Sequence, residues 1–295
     1  MIVYCVIVCY RPDLENLSRI CTALLFSKTK VILVDNTEKS YINNFSKDLG
    51  VDLIILNENC GIAKAQNIGI KLAIEKGAEV IVFFDQDSII ENDFIPILLS
   101  PLKISQPMVV SPMFYDKEHG FRFPSYNLNK FGLLKEIDFK GNDDIYAVDV
   151  IISSGSAATK EVFDIVGLMN EDYFIDFVDT EWSLRCRYKG IPIIVNPQAK
   201  MIHTIGDKSI NMYFMRLFVH NAIRSYYKVR NSFLFLRNEN VPLLLGVKEI
   251  VSALVHNLLV ILFVEEKNKY VMSYFSAVRD GLLNRKGKKI EHNEN

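Results

Sequence analysis

The sequence predicts an α/β protein: a mostly parallel central sheet flanked by helices, with a helical appendage at the C-terminal end. Three observations predict it. Short apolar runs recur without polar alternation, as in strands covered on both faces. Stretches with helix-spaced apolar residues separate these runs, so strand and helix alternate four times before residue 90. Polar or acidic residues close each run, at the strand ends where open α/β sheets form ligand crevices.

The first run, at residues 2–8, is wholly apolar and stops at Arg11, Pro12 and Asp13. Leu14, Leu17, Ile20, Leu24 and Leu25 then recur at helical spacing, with Pro12 near the helix start. The run at 31–34 ends in Asp35 and Asn36, and the run at 53–56 ends at Asn59, Cys60 and Gly61. A helix with Ile62, Ala65, Ile70, Ala73 and Ile74 on its apolar side follows, and Gly77 stops it. The run at 80–84 closes in Asp85, Gln86 and Asp87. Residues two apart in an extended segment point the same way, so Asp85 and Asp87 are expected to face one crevice. Two anions placed there call for a cation; an Asp-rich turn is the plainer alternative. Further strands are expected at 108–110, 148–152 and 193–195, with a polar excursion at 116–145.

The bulk properties exclude several classes. With 295 residues and 49% hydrophobic content, the chain can bury a large core. A net charge of −1 gives no general attraction to nucleic acid. The five cysteines form no CxxC pair, which fits reduced thiols in the cytoplasm. No basic segment precedes the first run, and no run of about 18 apolar residues occurs, so neither a secretory signal nor a spanning helix is expected. GxGxxG and GxxxxGK[ST] are both absent, so phosphates must be neutralised by another device, for which a metal on the aspartates is the economical choice.

The ordered set VIVCYRP, VDN, NCGIAKAQNIG at 59–69 and DQDS at 85–88 resembles family 2 glycosyltransferases of the GT-A fold, in their rhamnosyltransferase-like branch. Gly155-Ser156-Ala157, the acidic-aromatic run at 173–185 and the HxxxRxYYxxRN pattern at 220–231 extend the likeness, which covers residues 2–237. The resemblance implies a nucleotide-sugar site at Cys9, Tyr10, Arg11, Asp35, Asn59, Gly61, Lys64, Asn67, Asp85, Gln86 and Asp87. Within it, Tyr10 and Asp35 meet the base, Asp85 the ribose side, and Asp87 a divalent metal, Mg2+ or Mn2+, with His203 as a further metal or pyrophosphate contact. Asp179 corresponds to the aspartate of the family's Glu-Asp pair, the catalytic base; here Val178 stands where the family has Glu, so Asp176 and Glu181 remain fallbacks.

In the second half, Gly155 and Ser156 offer a small-residue turn that lets backbone approach a ligand, though such turns are common. Four acids, Asp172, Asp176, Asp179 and Glu181, lie among large aromatics; helix capping accounts for one of them. Trp182 fits either acceptor stacking or core. Arg185 fits either a ligand contact or an ion pair with the acids one turn away. Arg224, Lys228 and Asn231 share a helical face near Arg230 and His220, suited to a diphosphate or an acceptor, or simply solvated.

The expected organisation is a catalytic domain at 1–237, with nucleotide-sugar binding at about 1–100 and acceptor binding and catalysis at about 101–237. An amphipathic helical segment at 238–284 and a polar tail at 285–295 follow. The apolar stretch at 251–264, with lysines and arginines around it, suits a helix lying on the inner face of the cytoplasmic membrane; packing on the catalytic domain or on another subunit of a homo-oligomer is the alternative. The resemblance implies an inverting, metal-dependent transfer of sugar, with dTDP-L-rhamnose as leading donor, to a hydroxyl of a surface glycan or polyprenyl-linked acceptor. The alternatives are a UDP-hexose donor, a sugar nucleotidylyltransferase and a non-catalytic nucleotide-sugar-binding protein.

Overall fold

A computed structural model describes residues 1–116, 121–137, 144–202, 208–212 and 215–289. The chain opens with β1 (Val3–Cys9), α1 (Leu14–Phe26), β2 (Lys30–Asp35), α2 (Asn43–Leu49), β3 (Asp52–Ile55), α3 (Ile62–Glu75) and β4 (Val80–Asp85). Then come α4 (Phe94–Leu99), β5 (Val109–Asp116), β6 (Phe121–Arg122), β7 (Tyr126–Leu128), β8 (Leu134–Glu136), β9 (Tyr146–Ala147) and β10 (Ala157–Thr159). After α5 (Lys160–Val166) and a 3-10 turn at Glu171–Tyr173 follow α6 (Val178–Tyr188), β11 (Ile193–Ile202) and a hairpin of β12 (Lys208–Met212) and β13 (Met215–Val219). Three helices end the described chain: α7 (Ala222–Leu236), α8 (Leu243–Phe263) and α9 (Lys267–Leu282).

The main sheet runs β3-β2-β1-β4-β10-β5-β11-β9, with β6 on β5. Pairs β1–β2, β2–β3, β1–β4 and β5–β11 are parallel. The short β10 runs antiparallel to both neighbours. Alternate residues explain why the first strands lack polar positions. Tyr4, Val6 and Val8 join one core with α3, while Val3, Cys5, Ile7 and Cys9 join a second core with α1 and α4. Each fully buried Leu or Ile contributes about 1.5–3 kcal/mol, so two cores on one sheet give this half its main stabilisation.

Local chemistry sets the ends. The Asp13 side chain caps α1 by accepting from the Asn16 N–H. A Cβ on Gly69 would run into Val6, so only glycine lets α3 lie this close to β1.

Two sequence expectations change. Residues 148–152 form no strand beyond an isolated Val150–Tyr126 bridge. Their backbone bonds go singly to different strands, Val148 N–H to Ile193 O and Asp149 N–H to Tyr126 O, so no ladder develops. The apolar tail is also longer than 251–264. α8 starts directly after Pro242, has 21 residues, and is long and apolar enough to cross a membrane by length and composition. Lys248 and Glu249 hide that length in the sequence by breaking the apolar run. α8 and α9 both pack on α7, where a Cβ on Gly246 or Gly281 would clash with Leu236 or Phe233.

Candidate functional site

The strand ends of the first half meet at one sheet edge, as the polar corners predicted. Gln86 grips the residue after β1 with two hydrogen bonds: the Tyr10 N–H donates to Oε1 (2.7 Å), and Nε2 donates to the Tyr10 carbonyl (3.1 Å). Asn36 donates to Asn59 Oδ1 (3.2 Å) and accepts from the Cys60 N–H (2.7 Å), while the Gly61 N–H also donates to Asn59 (3.0 Å). These bonds fix the start of α3. Asp35 is fully buried; its Oδ1 accepts from the Thr37 N–H, and its Oδ2 has no hydrogen-bond partner among the described residues. A cavity of about 470 Å³ lies along this edge, bounded by Tyr10, Asn36, Asn59, Gly61, Asp85 and Gln86 on one side and by Phe174, Asn221, Arg224 and Tyr227 on the other.

Asp85 also borders a second cavity of about 590 Å³, with Gln66, Ser153, Asp176, Asp179, Arg224 and Lys228. Burial, then repulsion from Asp87, pushes the Asp85 carboxyl up to about 6. Ser154 steadies this corner: its Oγ accepts from the Asp85 N–H (3.1 Å) and lies 3.1 Å from Ser88 Oγ. Asp87 is exposed.

Asp179 sits in the first turn of α6, where the helix dipole favours an anion. Its carboxylate accepts from the Thr180 N–H (2.9 Å) and the Ser153 N–H (3.4 Å). Burial raises its pKa, and these backbone bonds oppose the rise. Asp179 and Thr180 also border a third, largely apolar cavity of about 300 Å³, walled by Pro112, Phe114, Phe123, Tyr126, Leu134 and Ile151. One carboxylate therefore stands between an acid-lined cavity and an apolar one. Asp176 faces the second cavity and pairs with Arg224 (3.3 Å), and its buried Oδ2 has no hydrogen-bond partner among the described residues.

The segment carrying these acids is strained. Phe174, Asp176 and Phe177 all have left-handed φ, of 67°, 62° and 65°, at a cost on the order of 1 kcal/mol or more each. Phe174 covers Gly61 so closely that a Cβ there would overlap its ring and carbonyl, and that carbonyl accepts from the Ile62 N–H at 2.7 Å.

Several residues that the sequence offered for the site lie elsewhere. Trp182 is buried, stacks on Phe163 and donates to the Gly167 carbonyl. Glu181 is buried and pairs with Arg185, whose other nitrogens reach the Val166 and Leu168 carbonyls. Arg230 and Asn231 are buried against the backbone of the acidic segment. Asn67 holds both backbone groups of Met169, and the Cys9 thiol lies in the core beneath the sheet. Gly155 and Ser156 are packed, Gly155 against Met201 and Pro112, so the two residues before them reach the acids instead. A helical face can be read from spacing, but which way it turns cannot, and each of these side chains turned inward. Arg11 is exposed and pairs with Glu38. Lys64 is exposed in the first turn of α3, and the His220 carbonyl accepts from Tyr270. His203 lies outside the described residues. Gln66, Ser153 and Ser154 border the acids without having been singled out, the Ser153-Ser154-Gly155 string being the available signal for two of them; Lys228, on the helical face read from spacing, lines the same cavity.

Among the described residues, no three His, Cys, Asp or Glu side chains gather tightly enough to hold a metal. Asp85 and Asp87 supply two carboxylates whose mutual repulsion a hard dication relieves. Mg2+ commonly takes one or two protein carboxylates and completes its shell with water and phosphate. The donor set fits such an ion on those terms.

Comparison with known proteins gives the chain its family. The model of glycosyl transferase family 2 matches residues 4–164. A dTDP-rhamnosyl transferase of Shigella flexneri, RfbF, is 43% identical over 281 residues, covering 95% of each chain. The low-salt glycan biosynthesis hexosyltransferase Agl10 of Haloferax volcanii is 23% identical, covering 94% of this chain and 89% of its own. Among solved structures, S. aureus TarS 1–349 in complex with UDP-GlcNAc superposes with a TM-score of 0.54 at 14% identity, covering 97% of this chain and 82% of that one. GalNAc-T7 with UDP, GalNAc and Mn2+ gives 0.58 at 13% identity over 79% of this chain, which spans about half (51%) of that structure. These distant likenesses bear on the GT-A fold alone. On the family match and the full-length likeness to RfbF, the chain belongs to glycosyl transferase family 2 and is a glycosyltransferase.

Proposed function

We propose that the chain transfers L-rhamnose from dTDP-L-rhamnose, with inversion, to a hydroxyl of a bacterial surface polysaccharide or lipid-linked oligosaccharide. The observation that carries this is the placement of Asp179 on both the acid-lined and the apolar cavities. The name of the S. flexneri relative supports the donor. In this reading residues 1–100 bind the nucleotide sugar and residues 101–237 bind the acceptor and supply the base. The Asp35 oxygen without a hydrogen-bond partner among the described residues would then accept from the imide N–H of a thymine, and Tyr10, on the 470 Å³ cavity, would meet the same base. Arg224 and Lys228 bring positive charge to the cavity that would take the diphosphate. Asp85 and Asp87, with His203 as a third candidate, would hold Mg2+ or Mn2+; when bound, the cation neutralises the departing nucleoside diphosphate.

Asp179 then removes the proton of the acceptor hydroxyl as that oxygen attacks the anomeric carbon, a task worth about 10²–10⁴-fold in rate. Its raised pKa makes it a stronger base than an exposed aspartate. The apolar cavity excludes water beside it and takes the acceptor. Leu244, Val247, Val251, Val255, Leu258 and Leu262 form an exposed stripe on α8 near Lys248, Lys267 and Lys269. This face rests on the inner leaflet of the cytoplasmic membrane, where anionic lipid attracts the lysines.

The test is calorimetry with dTDP-L-rhamnose, dTDP-glucose, UDP-glucose and UDP-GlcNAc, with and without Mn2+. Mn2+-dependent preference for the dTDP-rhamnose donor is expected; preference for a UDP sugar would replace the donor, and binding of none would remove the reading. Flotation with anionic vesicles is expected for the protein and not for Val255→Asp.

A further inference from the structure

The pair Arg230-Asn231 is buried in α7, at 1% and 0% exposure, yet faces no substrate cavity. Arg230 makes no ion pair among the described residues. Its guanidinium donates instead to the carbonyls of Gly287 (2.7 Å), Asp172 (3.3 Å) and Tyr173 (3.0 Å) and to Asn231 Oδ1 (2.8 Å), and it lies over the rings of Tyr226 and Tyr227. The Asn231 amide donates to the carbonyls of Tyr173 (2.8 Å), Ile175 (2.6 Å) and Asp176 (3.3 Å). Two adjacent side chains thus gather four carbonyls of the segment with three left-handed non-glycine residues. That segment carries Asp176 and leads into Asp179.

The clamp is closed from behind. After α9 the chain folds back over the same segment: the Gly287 N–H donates to the Asp172 carbonyl (2.7 Å), Lys286 pairs with the Asp172 carboxylate (2.8 Å), and the Lys289 N–H donates to the Tyr227 hydroxyl (2.8 Å). Tyr227 stacks on Phe174 with centroids 4.6 Å apart, and Phe174 covers Gly61 at the start of α3. The strap at 285–289 therefore reaches the edge of the 470 Å³ cavity through two rings.

We propose that Arg230 and Asn231 are positioning residues for the transfer reaction: with the C-terminal strap they hold residues 172–177 in the strained form that presents Asp176 and Asp179. Strained backbone persists only where its surroundings over-determine it, and buried carbonyls without donors are costly. The clamp meets both conditions and rests on the reading of Asp179 as base. It also makes the strap at 285–289 part of the catalytic assembly, although that strap borders neither of the two substrate cavities.

The test is Gly287→Pro in the full-length protein, which removes the strap's N–H and is incompatible with its φ of 68°, and Arg230→Lys, which keeps the charge and loses the planar fork. Hydrogen exchange, dTDP affinity and transfer from dTDP-rhamnose are measured on each. Exchange at residues 174–177 is expected to rise at least tenfold and kcat to fall about tenfold, with the Kd for dTDP nearly unchanged and a lower melting temperature in a chain that stays folded. Unchanged exchange in both variants overturns the proposal. So does full kcat despite faster exchange, or a parallel loss of kcat, dTDP affinity and melting temperature in both. If Gly287→Pro does not fold, Arg230→Lys decides on the same terms. Should the wild-type chain turn over no dTDP-rhamnose, the reaction reading fails, and exchange together with a pH titration of Asp179 by NMR still decides the clamp: an unshifted Asp179 in a loosened loop overturns it.

Discussion

Residues 1–100 carry their polar groups on the ends of parallel strands, where backbone ladders and two cores fix each Cα. Residues 101–237 carry theirs on a left-handed loop, a helix N-terminus and a segment at 148–156 that joins no regular ladder before β10. The first arrangement is rigid by construction. The second is held by side chains: Arg230, Asn231, Ser153 and Ser154 do what hydrogen-bond ladders do elsewhere. Groups at strand ends should therefore tolerate substitutions around them, whereas Asp179 should respond to changes that never touch substrate.

The sharpest contrast is chemical. Asp179→Asn is expected to lower transfer about 10²–10⁴-fold while leaving nucleotide affinity intact, measured by steady-state kinetics beside calorimetry. Because burial raises the Asp179 pKa, the acidic limb of wild-type kcat/KM should lie above the ordinary aspartate value, with activity lost as pH falls through it. Asp87→Ala, on the strand-end side, is expected to do the converse and abolish Mn2+-dependent donor binding in the same calorimeter. If both variants lose donor binding equally, the two halves are not separable.

A second contrast concerns stability. Gly69→Val would force a side chain into Val6 and is expected to cost about 1–3 kcal/mol by overpacking, read from the urea midpoint. The Asp85 carboxyl, raised to about 6, binds a proton more tightly folded than unfolded. Its contribution is thus greatest below the ordinary value of 3.8 and disappears as pH rises through about 6. The metal-free protein should lose that contribution between pH 4 and 7, and Mn2+ should offset the loss at pH 7, seen as a melting-temperature gain that Asp87→Ala lacks. The smallest effect is at the surface: breaking the Lys76–Asp52 pair, 2.6 Å long and over a third exposed on each side, should cost under about 1 kcal/mol.

Much of the fold was legible because buried parallel strands leave a mark in the sequence, a short β-branched and apolar run ending in a polar corner. All four early strands and the helices at 14–26 and 62–75 follow from it, whereas α2 (Asn43–Leu49) lies in a stretch that reads as a polar connection. The site was legible where it sits on those corners: Tyr10, Asn59, Gly61, Asp85 and Gln86 border one cavity. It was illegible where function depends on orientation within a helix. Trp182, Arg185, Arg230 and Asn231 have the residue types of ligand contacts, and only the packing of α6 and α7 shows that they face inward. β10 gave no signal because Ala157-Ala158-Thr159 has neither length nor strong β preference; a neighbour on each side recruits it.

The reversed strand has a consequence for how this scaffold can be re-targeted. The stretch between β6 and β9, with the β7–β8 hairpin that walls the apolar cavity, is spliced between strands of the sheet and leaves the reversed β10, with Ser153 and Ser154 before it, in place. Exchanging that stretch for one of different length leaves the Asp85 corner and its four parallel strands where they are. If the apolar cavity takes the acceptor as proposed, a graft there is a route to a transferase with the same activated sugar and a new glycan address.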